Sequence, residues 1–86
     1  MLITKQTVAA KIAAYLRHDM SLSELVDWAE RALMDEEFAD VDASILSQVV
    51  GRLGVADVRA FGLTWEDCEQ LLGALGFSAR VEIVAA

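Results

Sequence analysis

Five carboxylates fall within eight residues, Asp35, Glu36, Glu37, Asp40 and Asp42, around a single aromatic, Phe38. No Lys or Arg occurs from Ala32 to Gly51 to neutralise them. Acids at this density can coordinate calcium, run acid–base catalysis or face a basic protein, and each task needs a different arrangement. An EF-hand loop needs a glycine at its sixth position and a glutamate at its twelfth. Counted from Asp35 those positions are Asp40 and Leu46, and counted from Asp40 they are Ile45 and Gly51, so neither frame works. A catalytic pair needs carboxyls converging in a pocket with their pKa values pushed apart. Nothing in this segment marks one acid as desolvated. Asp40 and Asp42 precede an apolar run and suit a helix start, which leaves Glu36, Glu37 and Phe38 for recognition. The reading that follows is an acidic face for a basic partner, anchored by the aromatic ring. Charge of this kind steers association, and an aromatic supplies the desolvated contact.

The other reactive side chains form no set. Cys68 is the only cysteine and His18 the only histidine. Cys68 falls on the apolar side of a helical pattern and reads as a small core residue. His18 follows Arg17 at the end of a helical pattern, where a cation suits the helix dipole. No neighbouring motif makes them a nucleophile and base, and Ser21, Ser23, Ser44, Ser47 and Ser78 show no nucleophile signature. The sequence therefore predicts no catalytic residue, no metal site and no cofactor.

Four helices must position these residues. Each start carries a capping Ser, Thr or Asp behind an apolar residue, with a second apolar residue four positions after the cap. The sets are Ile3-Thr4 with Val8, Met20-Ser21 with Leu25, Val41-Asp42 with Leu46, and Leu63-Thr64 with Cys68. Such a cap accepts a free N–H of the first turn while the apolar pair clamps the incoming chain. Ser21 with Glu24, and Thr64 with Asp67, add the reciprocal half of a capping box.

Apolar stripes at helical spacing follow each cap. They are Val8, Ile12, Tyr15 and Leu16; Leu22, Leu25, Val26, Ala29, Ala32 and Leu33; Ile45, Leu46, Val49, Val50 and Leu53; and Trp65, Cys68, Leu71, Leu72 and Leu75. Asp27 and Arg31 are spaced to pair on the outer face of the second helix. Gly54 and Gly76 mark two stops. Val55, Val58 and Phe61, three apart, suit a short helical turn closed by Gly62. From Phe77 the period changes to two: Phe77, Ala79, Val81 and Ile83 alternate with Ser78, Arg80 and Glu82, a strand pattern. A lone strand needs a partner, and the candidates are residues 1–3 or the same tail of a second copy.

The predicted fold class is all-α: a small bundle of four main helices (residues 1–76) with a short turn, and a strand-like tail (77–86). Its composition is 56% hydrophobic with mean hydropathy +0.41. That is rich for a domain of 86 residues, whose surface is large relative to its core. Self-association as a homodimer through Phe77, Ala79, Val81 and Ile83 is the expectation. The net charge of −7 opposes nucleic acid and anionic lipid. Short apolar runs around Lys5 and Lys11 fit neither a signal peptide nor a span, which needs about 20 apolar residues. The expected compartment is the cytoplasm.

The segments Ser21-Leu-Ser-Glu-Leu-Val-Asp-Trp-Ala-Glu30 and Asp57-Val-Arg-Ala-Phe-Gly-Leu-Thr-Trp-Glu-Asp67 resemble small, uncharacterised bacterial helical proteins. In style these are similar to acidic immunity and antitoxin proteins that neutralise basic toxins. The resemblance implies an immunity-like binder and assigns no functional residue. With no nucleophile–base pair, metal set or phosphate loop in the sequence, the predicted function is a non-enzymatic, acidic protein-binding module with Asp35, Glu36, Glu37, Phe38, Asp40 and Asp42 as its contact face. The alternative is a structural homo-oligomer that assembles through its tail and apolar surface.

Overall fold

Thr4, Ser21 and Thr64 each close a local hydrogen-bonded box, and three helices begin where those boxes form. The computed structural model describes residues 2–58, 62–80 and 83. In chain order its elements are β1 (Leu2–Ile3), α1 (Lys5–Leu16), α2 (Leu22–Asp35), β2 (Glu37–Phe38), a 3-10 turn (Asp40–Asp42), α3 (Ala43–Gly54) and α4 (Trp65–Ala74). The chain is mostly helical, with four helices and little strand among the described residues.

The boxes are reciprocal. Ser21 Oγ accepts the Glu24 N–H at 3.1 Å, while Glu24 Oε1 accepts the Ser21 N–H at 3.0 Å. At α4, Thr64 Oγ1 accepts the Asp67 N–H at 3.1 Å and Asp67 Oδ2 accepts the Thr64 N–H at 2.9 Å. At α1 the returning group is Thr7 Oγ1, which accepts the Thr4 N–H at 3.4 Å, a third box that the sequence pattern left unassigned.

The fourth start differs. Asp42 stands at the N-cap of α3, but its backbone (φ −118°, ψ 9°) is not extended and its side chain makes no cap bond. The 3-10 turn before it directs Asp42 elsewhere: its Oδ1 lies 3.4 Å from Lys5 Nζ on α1. Val41, expected to clamp against Leu46, is 90% exposed while Leu46 is fully buried. The expected staple is therefore absent at α3.

Helix stops combine legible and illegible chemistry. Gly76, at φ 87°, ends α4 as expected. The Phe77 N–H returns to Leu72 O at 2.9 Å and the Gly76 N–H to Gly73 O at 3.0 Å, the paired closure of a Schellman motif. The end of α1 uses the same closure with His18 at the left-handed position, φ 64°. There the Asp19 N–H reaches Ala14 O at 2.9 Å and the His18 N–H reaches Tyr15 O at 3.1 Å. A side chain at that φ is strained where glycine is not.

The stripes meet in one cluster of Ile3, Val8, Ile12, Leu25, Ala29, Ala32, Leu46, Val49, Val50, Leu53, Cys68, Leu72 and Leu75. The α2–α3 pair forms its broadest contact. Each fully buried Leu or Ile contributes roughly 1.5–3 kcal/mol through removal from water. Burial pushes the Cys68 thiol up to about 11, with Asp67 a lesser cause, so the thiol stays protonated as a core group. Leu33 departs from its stripe and is 43% exposed. In the turn after α3 it is Ala56 that is buried and Val58 that faces water. Phe61, its third expected member, lies outside the described residues.

Residues 2–3 do form a strand, but its partner is β2 and not the tail. β1 pairs in parallel with β2, Leu2 opposite Glu37 and Ile3 opposite Phe38, and the Ala39 N–H adds a bond to Ile3 O at 2.9 Å. The tail from Phe77 to Arg80 has no regular structure. Ala79 packs on the chain's own core, Ile83 is almost fully exposed, and Val81 and Glu82 lie outside the described residues. Arg31, expected to pair with the Asp27 carboxylate, donates from Nε to the Asp27 main-chain carbonyl at 3.3 Å.

Candidate functional site

The acidic residues belong to a single corner, where the chain leaves α2 and enters α3. Asp35 is the last residue of α2, and Glu36 caps that end with extended backbone, φ −107° and ψ 157°. No basic residue occupies the last turn of α2. Anionic side chains at a helix C-terminus meet the negative end of its dipole, so the sequence places acids where helix stability disfavours them. Glu37 and Phe38 then pair with β1, and Asp40, Val41 and Asp42 make the 3-10 turn.

The corner divides its carboxylates. Glu37 and Asp40 are exposed. Glu36 is half-buried. Asp42 is half-buried and committed to Lys5. The local sequence lacks a neutralising cation, and folding supplies one from a residue 37 positions away. Phe38 is half-buried and packs against the core cluster, which removes much of its ring from the surface. The exposed apolar atoms of the corner belong instead to Val41 and Leu2, at 90% and 52% exposure. Leu2, Glu37, Phe38, Ala39 and Asp40 line a shallow hollow of about 370 Å³.

Sequence reasoning passed over Val41 because a residue ahead of a helical cap ordinarily folds inward. The signal available was its setting, an apolar residue between two aspartates. Leu2 gave no signal, since its exposure follows from strand pairing across 35 positions.

The tail residues divide as well. Phe77 (39% exposed) and half-buried Ala79 form one side of a groove of about 380 Å³ against Ala9, Ala13 and Leu16 of α1 and Trp65 of α4. Of the four expected oligomer contacts, Ala79 packs against the chain's own core. Ile83 projects into water, and Val81 lies outside the described residues.

Chemistry elsewhere is sparse. Among the described residues no group of three or more His, Cys, Asp or Glu side chains is placed to hold a metal ion. No helix among them is long and apolar enough to cross a membrane. The Glu24 carboxyl is held below the usual carboxylate range chiefly by the Ser21 backbone N–H, with the Ser21 side chain adding to it. Asp67 is held low in the same way by the Thr64 backbone N–H, with lesser help from the Thr64 side chain and Arg52 and against some desolvation. Both acids perform helix capping. The chain matches no family model, no curated protein and no solved structure.

Proposed function

We propose that this chain is a non-enzymatic, acidic protein-binding module that receives a basic partner at the corner between α2 and α3. The observation that carries the reading is the pair of exposed carboxylates, Glu37 and Asp40, beside exposed Val41 and Leu2. Two charges accelerate encounter with a basic surface, and the adjacent apolar atoms give a contact that excludes water. The net charge of −7 extends the same field over the whole chain. This reading relocates the apolar anchor from Phe38, which is partly spent on the core, to Val41. An immunity- or antitoxin-like role in the cytoplasm, neutralising a basic protein, is the form of binding that this charge favours, on a small helical bundle.

The test is capture of a basic protein on the immobilised chain, followed by affinity measurement with a Glu36→Gln, Glu37→Gln, Asp40→Asn variant. Weakening by about tenfold, about 1.4 kcal/mol, supports the reading. Undiminished binding refutes it.

A second reading, homo-oligomeric assembly through the tail and apolar surface, draws on the exposure of Phe77, Ile83 and Met34. Sizing of the full chain against a version ending at Gly76 separates the two. A concentration-dependent dimer that the truncation abolishes favours assembly.

A further inference from the structure

At the other end of α2, about 20 Å from the acidic corner by helical rise, lies a second concavity of different chemistry. The end of α1, the turn that follows it and the starts of α2 and α4 line an open hollow of about 550 Å³, within the roughly 300–1,000 Å³ usual for small-molecule sites. Its apolar surface includes Leu16 and Leu63 and two half-buried aromatic side chains, Tyr15 and Trp65. Its polar surface includes His18, Asp19 and Glu24. Among the described residues the lining holds two carboxylates and no Lys or Arg.

The walls are fixed on both sides. The Ser21–Glu24 box holds the start of α2, and the Thr64–Asp67 box holds the start of α4. Arg52 of α3 braces the second wall, donating from Nη2 to Gly62 O at 3.0 Å and to Asp67 Oδ2 at 3.2 Å. Glu24 spends one oxygen on the Ser21 N–H, and that bond holds its carboxyl below the usual carboxylate range. Asp19 lies 3.8 Å from Arg17 Nε, a loose contact between two side chains about 70% exposed.

We propose that this hollow binds a small organic cation, an alkylammonium or quaternary ammonium group on a short apolar stem, against the aromatic lining of Tyr15 and Trp65 with Asp19 and Glu24 as its charge complement. Aromatic faces attract such cations through the ring quadrupole, most strongly when the cation is poorly hydrated. An anion would meet two carboxylates. A hydrated metal ion would gain nothing from two rings and two leucines. The molecule already contains one contact of the same kind, with Lys11 Nζ 5.6 Å from the centroid of the Trp28 ring. The proposal is independent of the acidic corner and stands or falls apart from it.

Amide and indole NMR shifts test it on the full chain, titrated with choline and separately with 3,3-dimethylbutan-1-ol, which has the same shape without the charge. Choline is expected to give saturable shifts at Tyr15, His18 and Trp65. The alcohol is expected to bind about tenfold more weakly, the ratio that a cation–π contact plus nearby charge supplies. Asp19→Asn with Glu24→Gln should raise the choline Kd by about tenfold while keeping the capping box, since Gln returns the same bond. If that pair of changes disturbs folding, Tyr15→Leu, with the caps intact, is expected to weaken choline binding alone. Absence of saturation, an equal response to the alcohol, or an unchanged Kd in both variants overturns the proposal.

Discussion

The starts of α2 and α3 are adjacent in the sequence pattern and opposite in their physics. Both present an apolar residue, a capping side chain and a buried leucine four positions on. At α2 the cap closes a two-bond box within three residues. At α3 the Asp42 side chain caps nothing and reaches across to Lys5, Val41 turns outward, and the segment is fastened by β1 through the Ile3 carbonyl. A locally saturated start consumes its polar groups. A start held from a distance leaves Glu37 and Asp40 on the surface, the pair on which the proposed recognition rests.

Distance from local control also marks what was legible in the sequence. The boxes at Ser21 and Thr64 and the Gly76 stop follow from hydrogen bonds within five residues, and the stripe through Leu46, Val49, Val50 and Leu53 follows from the helical period alone. These positions agree between pattern and structure. The β1–β2 pair is two residues on each side, too short to impose a period, and it joins segments that share no local signal. His18 occupies a left-handed position that glycine normally takes, and residue type alone does not announce that. Phe38 was legible as an aromatic among acids, but its burial is decided by the Ile3 pairing. The cleft at Tyr15 and Trp65 was not legible, because each residue reads as an ordinary member of a stripe until two helix ends meet.

The contrast between the two starts can be broken experimentally, beginning with its largest consequence. Ile3→Ala removes a side chain that is 1% exposed and should cost about 2–4 kcal/mol, read as a lower denaturation midpoint. Hydrogen exchange should rise first at Ala39, whose N–H bonds to Ile3 O. A loss under about 1 kcal/mol would mean that β1 does not hold the α3 start.

Ser21→Ala and Thr64→Ala should each cost about 1 kcal/mol in thermal or chemical unfolding. The corresponding acid dependence has a defined sign. Glu24 and Asp67 are depressed in the folded chain, so their stabilisation is complete above the ordinary carboxylate range of about 4. It is lost as pH falls through their lowered folded values. Glu24→Gln and Asp67→Asn should therefore differ most from the parent at neutral pH, and the differences should shrink in acid. A difference that persists below about pH 2 would contradict the linkage.

His18→Gly relieves the left-handed strain at a smaller cost in chain entropy and should raise stability by about 0.5–1 kcal/mol. Asp42→Ala should have the smallest effect, roughly 0.2–1 kcal/mol and toward the lower end, because a part-exposed ion pair is lost but no cap bond is. An Asp42→Ala cost equal to that of Ser21→Ala would erase the distinction between the two starts.

The most direct measurement compares binding of a captured basic protein to the parent chain and to Glu37→Gln, Asp40→Asn, Val41→Ser, with Asp42 and Phe38 left in place. Affinity is expected to fall by about tenfold or more, with a shallower salt dependence and an unchanged melting temperature. Equal affinity and equal salt dependence would contradict it, since the exposed carboxylates at the start of α3 would then contribute nothing to recognition.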